Sequence, residues 1–199
     1  VIQGNCLWVL NADLTRPAAF ATPICSGAPL YTGYENNIVQ VAPSPALGQL
    51  SGDGRPEIVV PSYDGNLYAY SPDGAQLWAY RFDSAGGNFI GASGAAIGDL
   101  NDDGVAEVVF NTYSTATSVS HLIVLDAAGN LLHRIALSGR GSMSVPTLAD
   151  VDGDDVLEIL VSLKDALSST VGGVQIWNVA SAQRNYLPWP GGRGNDLRS

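Results

Sequence analysis

Three times in this chain, at a spacing of 50 and then 51 residues, a short polar loop runs directly into an apolar strand. The copies read Gln49-Leu-Ser-Gly-Asp-Gly-Arg-Pro-Glu57, Asp99-Leu-Asn-Asp-Asp-Gly-Val-Ala-Glu107 and Asp150-Val-Asp-Gly-Asp-Asp-Val-Leu-Glu158. In each nine-residue window, oxygen-bearing side chains fall at positions 1, 3, 5 and 9. Gly54 and Gly104 stand at position 6, where a sharp turn needs a left-handed residue. Alternate side chains then face inward and the carbonyl of position 7 joins them, a donor set suited to a hard cation such as Ca²⁺. The three windows hold 11 of the chain's 19 acidic residues in 27 positions. Charge packed that densely repels itself unless a cation sits within it.

A repeat of about 50 residues, rich in Val, Ile, Tyr and Gly, fits a four-stranded blade of a β-propeller better than a helical solenoid. No segment of the 199 residues keeps a 3.6 period over three turns, and 23 glycines and 11 prolines punctuate the chain. The expected fold class is therefore all-β, with blades of four antiparallel strands. Each repeat divides into the same parts. A small-residue strand leads into the loop (41–48, 91–98, 144–149), and an apolar run leaves it (57–60, 107–110, 158–161). A third strand follows (66–70, 121–125, 174–178). Tight turns at Ser71-Pro-Asp-Gly74 and Asp126-Ala-Ala-Gly129 lead to a fourth strand at 77–80 and 131–135. Cys6-Leu-Trp-Val-Leu-Asn11 reads as one more third strand. The expected organisation is an amino-terminal half-blade over 1–40, three full repeats (about 41–90, 91–141 and 142–190) and a polar tail over 191–199. Such an array leaves strand edges open, so a partial propeller is expected to be completed by another subunit or by self-association.

The formal net charge of -10 argues against nucleic acid or an anionic membrane surface as partner. No run approaches membrane-spanning length, so no membrane insertion is expected. Cys6 and Cys25 fit either two buried thiols or a bridge. The extracellular setting that calcium loops and scarce thiols both suit favours the bridge. His121 and His133 lie in apolar strands and read as half-buried structural residues. The sequence has no HExxH, no phosphate-cradling glycine loop followed by Lys, and no G-x-S-x-G elbow, so catalytic residues are expected to be none. The hydroxyl-rich stretches Ser114–Ser120 and Ser168–Thr170 read as solvated loops, with glycan binding as the functional counterpart.

The segments Ser93-Gly-Ala-Ala-Ile-Gly-Asp-Leu-Asn-Asp-Asp-Gly-Val-Ala-Glu-Val-Val109, Asp64-Gly-Asn-Leu-Tyr-Ala-Tyr70 and Asp73-Gly-Ala-Gln-Leu-Trp78 resemble FG-GAP and VCBS-type repeats, including those of integrin α chains. The resemblance spans roughly residues 40–190. It implies a structural Ca²⁺ in the loop between the first two strands of each blade. Matched by position, the second loop would use Asp99, Asn101, Asp103, the Val105 carbonyl and Glu107. The third would use Asp150, Asp152, Asp154, the Val156 carbonyl and Glu158. The first would use Gln49, Ser51, Asp53, the Arg55 carbonyl and Glu57, with only Asp53 and Glu57 charged, and so holds metal poorly or is empty. Asp155 departs from the pattern by replacing the turn glycine. The function these readings imply is a non-catalytic, calcium-stabilised, secreted or cell-surface module for adhesion, surface structure or assembly. The alternative is a glycan-binding propeller or the non-catalytic domain of a secreted carbohydrate-active enzyme.

Overall fold

The computed structural model describes residues 2–3, 6–27, 44–83, 90–116, 118–163, 173–183 and 187–192. They form four antiparallel sheets, taken here in chain order. The first is small: β1 (Ile2–Gln3), β2 (Cys6–Leu7) and β3 (Ile24–Cys25). The second runs β4 (Ala46–Gly48), β5 (Glu57–Pro61), β6 (Asn66–Tyr70), β7 (Gln76–Arg81). The third runs β8 (Ile90–Gly98), β9 (Glu107–Ser114), β10 (His121–Leu125), β11 (Leu131–Ala136). The fourth has β12 (Thr147–Ala149), β13 (Val156–Ser162) and β14 (Val174–Gln183). The described residues contain no α-helix, only a single 3-10 turn at Ala18–Phe20.

The sheets stack face to face in chain order, and the second strand of each shows why it reads as an unbroken apolar run. On β5, Ile58 and Val60 pack with Leu7 of the first sheet and Phe20 of the 3-10 turn, while Val59 faces the third sheet. On β9, Val108 and Phe110 face the second sheet, and Val109 joins Leu148, Leu157, Ile159 and Val161 of the fourth. Both faces are covered, so alternation disappears. Tyr80 and Phe82 meet Phe110 edge-on at 6.1 Å. The small-residue strands β4, β8 and β12 lie beside one another. A Cβ on Gly48 would stand 2.8 Å from Ile97 Cγ2, so that approach depends on the missing side chain.

Prolines set the lengths of these strands. β8 has none and runs nine residues, whereas Pro45 and Pro146 precede three-residue β4 and β12. The Cys6–Asn11 strand shrinks to Cys6–Leu7 because a turn follows: Asn11 N–H donates to Thr15 O at 2.8 Å and Asp13 accepts from Thr15. Cys6 and Cys25 are bridged, directly opposed on β2 and β3 with Cα atoms 4.0 Å apart. Residues 28–40 of the amino-terminal segment lie outside the described residues.

The expectation of three four-stranded repeats is corrected at the fourth sheet, which has three strands among the described residues. In the third sheet the chain reverses at Asp126–Asn130: Asp126 accepts from Ala128 and Asn130 N–H, and Gly129 takes φ 82°. The matching stretch, Asn178-Val-Ala-Ser-Ala182, has no glycine to take that conformation. The strand therefore continues to Gln183 rather than ending at Asn178. The tail also does more than trail away. Trp189 exchanges both backbone hydrogen bonds with Ile97 of β8, at 2.7 and 3.1 Å, and Pro190 O accepts from Leu148 N–H of β12 at 2.8 Å. Residues 193–199 lie outside the described set.

The Ser114–Ser120 loop is packed rather than solvated at its ends: Ser114 and Ser120 are buried. Ser114 N–H and Ser120 Oγ both donate to Arg140 O. Gly141, at φ 80°, makes that packing possible, since a Cβ there would fall 2.3 Å from Thr112 O and 2.4 Å from Ser120 Cβ. Gly52 has a similar φ of 76° in open space. Gly52→Ala is therefore expected to cost about 1 kcal/mol from backbone strain alone. Gly141→Ala should cost roughly 2–4 kcal/mol because steric overlap adds to strain. Urea denaturation of both variants tests whether space or torsion dominates, and equal costs would contradict the packing described.

Candidate metal centre

The three acidic loops occupy equivalent places, joining β4 to β5, β8 to β9 and β12 to β13. Their shared shape is held by hydrogen bonds that recur position by position. The N–H of position 7 donates to the carboxylate of position 5: Arg55 to Asp53 at 2.9 Å, Val105 to Asp103 at 2.8 Å, Val156 to Asp154 at 2.9 Å. The N–H of position 2 donates to the glutamate of position 9: Leu50 to Glu57 at 2.6 Å, Leu100 to Glu107 at 2.7 Å, Val151 to Glu158 at 2.9 Å. All three glutamates are buried. Position 6 is left-handed throughout, with Gly54 and Gly104 at φ 85° and 84° and Asp155 at 65°. Position 4 is left-handed too, at Gly52, Asp102 and Gly153. The spacing of acids gave no hint of that second turn, although Gly and Asp at position 4 are residue types that tolerate it.

Position 1 supplies acceptors for the turn. Asp99 Oδ2 takes Gly104 N–H at 2.8 Å, and Asp150 takes Gly153 and Asp155 N–H at 2.7 and 3.1 Å. Gln49, its amide oxygen turned inward, accepts from Asp53 N–H at 3.1 Å and from Gly54 N–H. A neutral amide thus preserves the turn while removing one charge.

Position 3 separates the loops chemically. In the first, Ser51 Oγ donates to Glu57 Oε1 at 2.6 Å. In the second, Asn101 Nδ2 donates to Asp103 at 3.0 Å and Glu107 at 3.2 Å, so an amide N–H₂ stands among the carboxylates. In the third, Asp152 has no proton to give. There Asp150, Asp152 and Glu158 bring carboxylate oxygens within 4.8 Å of one another. Like charges held so close favour a cation between them. Asp154 stands outside this convergence. Asn178, on the strand opposite Glu158, donates to Glu158 Oε1 at 3.2 Å. Sequence reading missed Asn178 because it is distant in the chain and close only through the β13–β14 register.

The first loop carries its own cation. The Arg55 guanidinium lies 3.3 Å from Asp53 and makes a two-pronged contact with Asp73 at 3.0 and 2.8 Å, reaching the β6–β7 turn. Hydrogen bonding to Asp73 raises the Arg55 pKa, and Arg55 in turn holds Asp73 and Asp53 below the usual carboxylate range. The group is exposed, so its effect is local positioning more than stability. Glu107 moves the other way. Burial, with Asp103 and Asp99 nearby, pushes it up to about 7.

A family model describing an FG-GAP-like repeat matches residues 50–110, from Leu50 in the first loop to Phe110 within β9. The chain contains an FG-GAP-like repeat. Among solved structures, the V. cholerae biofilm matrix protein Bap1 is similar at 22% identity and a TM-score of 0.46. That match covers 65% of this chain and 21% of Bap1, so this chain spans about a fifth of the Bap1 length. No curated protein matches. The matched segment contains the first loop from Leu50 onward and all of the second, and the carboxylate convergence lies beyond it in the third.

Two outcomes follow. Asp155 is a non-glycine residue in the left-handed region, so Asp155→Gly should stabilise the protein by about 1 kcal/mol, read by thermal or urea unfolding. Glu107 binds a proton more tightly folded than unfolded, so between pH 4.5 and about 7 the native state holds more protons than the unfolded chain. Metal-free protein should therefore lose stability as pH rises through that window and level off above it. Glu107→Gln should flatten this slope in melting temperature, and a slope unchanged by the substitution would refute the assignment.

Proposed function

We propose that this chain is a non-catalytic, calcium-stabilised β-propeller module that works outside the cell in adhesion, surface structure or assembly. The convergence of Asp150, Asp152 and Glu158 in a loop that recurs with the same backbone hydrogen bonds carries this reading. A cluster of carboxylates with no histidine or thiolate among them suits Ca²⁺ over zinc or copper. The propeller reading is supported by face-to-face sheets stacked in chain order with β4, β8 and β12 adjacent along one side. The disulfide supports an oxidising compartment. No helix among the described residues is long and apolar enough to cross a membrane.

Calcium occupies the second and third loops in this proposal. Asn101 turns its amide oxygen inward when the ion enters, and the first loop relies on Arg55 and Asp73 instead. A partner strand or second copy covers the outer edge of β14, where Val174 and Ile176 are 55% exposed. Titration calorimetry with Ca²⁺ is expected to give two sites. Excess chelator should lower the melting temperature by several degrees, since calcium at about a hundred times Kd stabilises by about 2.7 kcal/mol. A melting temperature indifferent to chelator would overturn the calcium assignment, and three equivalent sites would overturn the role given to Arg55.

A further inference from the structure

Two successive sheet interfaces can be compared residue by residue. In the second sheet, Trp78 of β7 stands opposite Ala69, and in the third, His133 of β11 stands opposite Val124. The two occupy the same place, next to the register shift that follows each hairpin turn. Trp78 reaches the next sheet. Its Nε1–H donates to Ala127 O at 2.9 Å, and its ring lies so close over Gly129 that a Cβ there would be 2.7–3.0 Å from ring atoms. One interface later both halves of that arrangement change. His133 replaces the indole, and where β10 turned, β14 continues through a register shift, Glu158 pairing Asn178 and Val156 pairing Gln183. Asn178 and Val179 now hold the places of Asp126 and Ala127, because Ile159 pairs Trp177 as Val108 pairs Leu125.

A cleft of about 390 Å³ is left between the third and fourth sheets. Ile135, Ile159, Val179 and Trp177 give it apolar walls, and Asn101, Asn178 and Glu107 supply polar groups. Its volume falls in the range of small-ligand clefts, roughly 300–1,000 Å³, and apolar walls with few polar groups are typical of them. Trp177 is half-buried and His133 exposed, and both line the cleft, so a molecule entering from solvent meets them.

We propose that this cleft binds a small planar aromatic molecule of about indole size, seated against the fourth sheet as Trp78 is seated against the third. Stacking on Trp177 supplies the apolar contact and the Asn178 and Asn101 amides meet a polar ring substituent. The cleft shares Asn101 and Glu107 with the second loop, so binding is measured with calcium present.

Saturation-transfer NMR with free indole on the full chain tests this. The expected result is transfer to indole, its loss in His133→Trp, whose own indole fills the cleft, and a higher melting temperature for that variant. Trp177→Ala should weaken binding roughly tenfold through loss of the stacking face. No transfer to wild-type protein, or undiminished transfer in His133→Trp, overturns the proposal. Transfer to methyl glycosides in place of indole overturns the aromatic class. Tighter binding of N-acetyl-tryptophan amide than of indole overturns a free ligand in favour of a peptide-borne ring.

Discussion

The structure depends first on a buried carboxylate at the root of each loop. Glu57, Glu107 and Glu158 sit where an inner strand gives way to the next, and each receives the backbone N–H of the second residue past that inner strand. The bond spans seven residues and closes the loop neck. A buried polar acceptor is costly unless its lone pairs are met, and here the donors come from the loop itself. The loop shape is therefore specified by local hydrogen bonds, and the cation binding proposed for it is a second property laid over that shape. That is why the first loop keeps its form with Gln49 and Ser51 in place of acids.

The three loops then form a graded series on one backbone. Serine, asparagine and aspartate at position 3 give a hydroxyl donor, an amide that donates or accepts according to its rotation, and a pure acceptor. Their electrostatic demand rises in the same order. The guanidinium of Arg55 completes the series at its low end, tying a loop to the neighbouring hairpin with a covalently attached cation. A cation supplied this way cannot be chelated or diluted.

Much of this was legible in the sequence because it is local. The apolar runs after each loop, the Asn66–Tyr70 and His121–Leu125 strands and the turns at Gly74 and Gly129 all follow from short-range pattern and turn chemistry. Three things were not. The extension of β14 depends on the absence of a turn, which an apolar strand pattern does not announce. Asn178 meets Glu158 only through register, twenty residues away. His133 reads as a half-buried strand residue until β14, in the next sheet, is seen to lack a hairpin, which leaves the imidazole at the lining of a cleft.

The backbone exchange between Trp189 and Ile97 has a consequence for how the molecule acquires its structure. Contacts within each sheet close loops of a few to a few tens of residues, and sheets arranged in a row can form nearly independently. The Trp189 bridge joins points 92 residues apart, and Pro190 fastens the same segment to β12. Such closure carries a large entropic cost that only an already assembled pair of sheets repays. The segment therefore docks last on folding and leaves first on unfolding. Once docked, it makes the third and fourth sheets a single cooperative unit, while the disulfide-bridged first sheet keeps its own local stability.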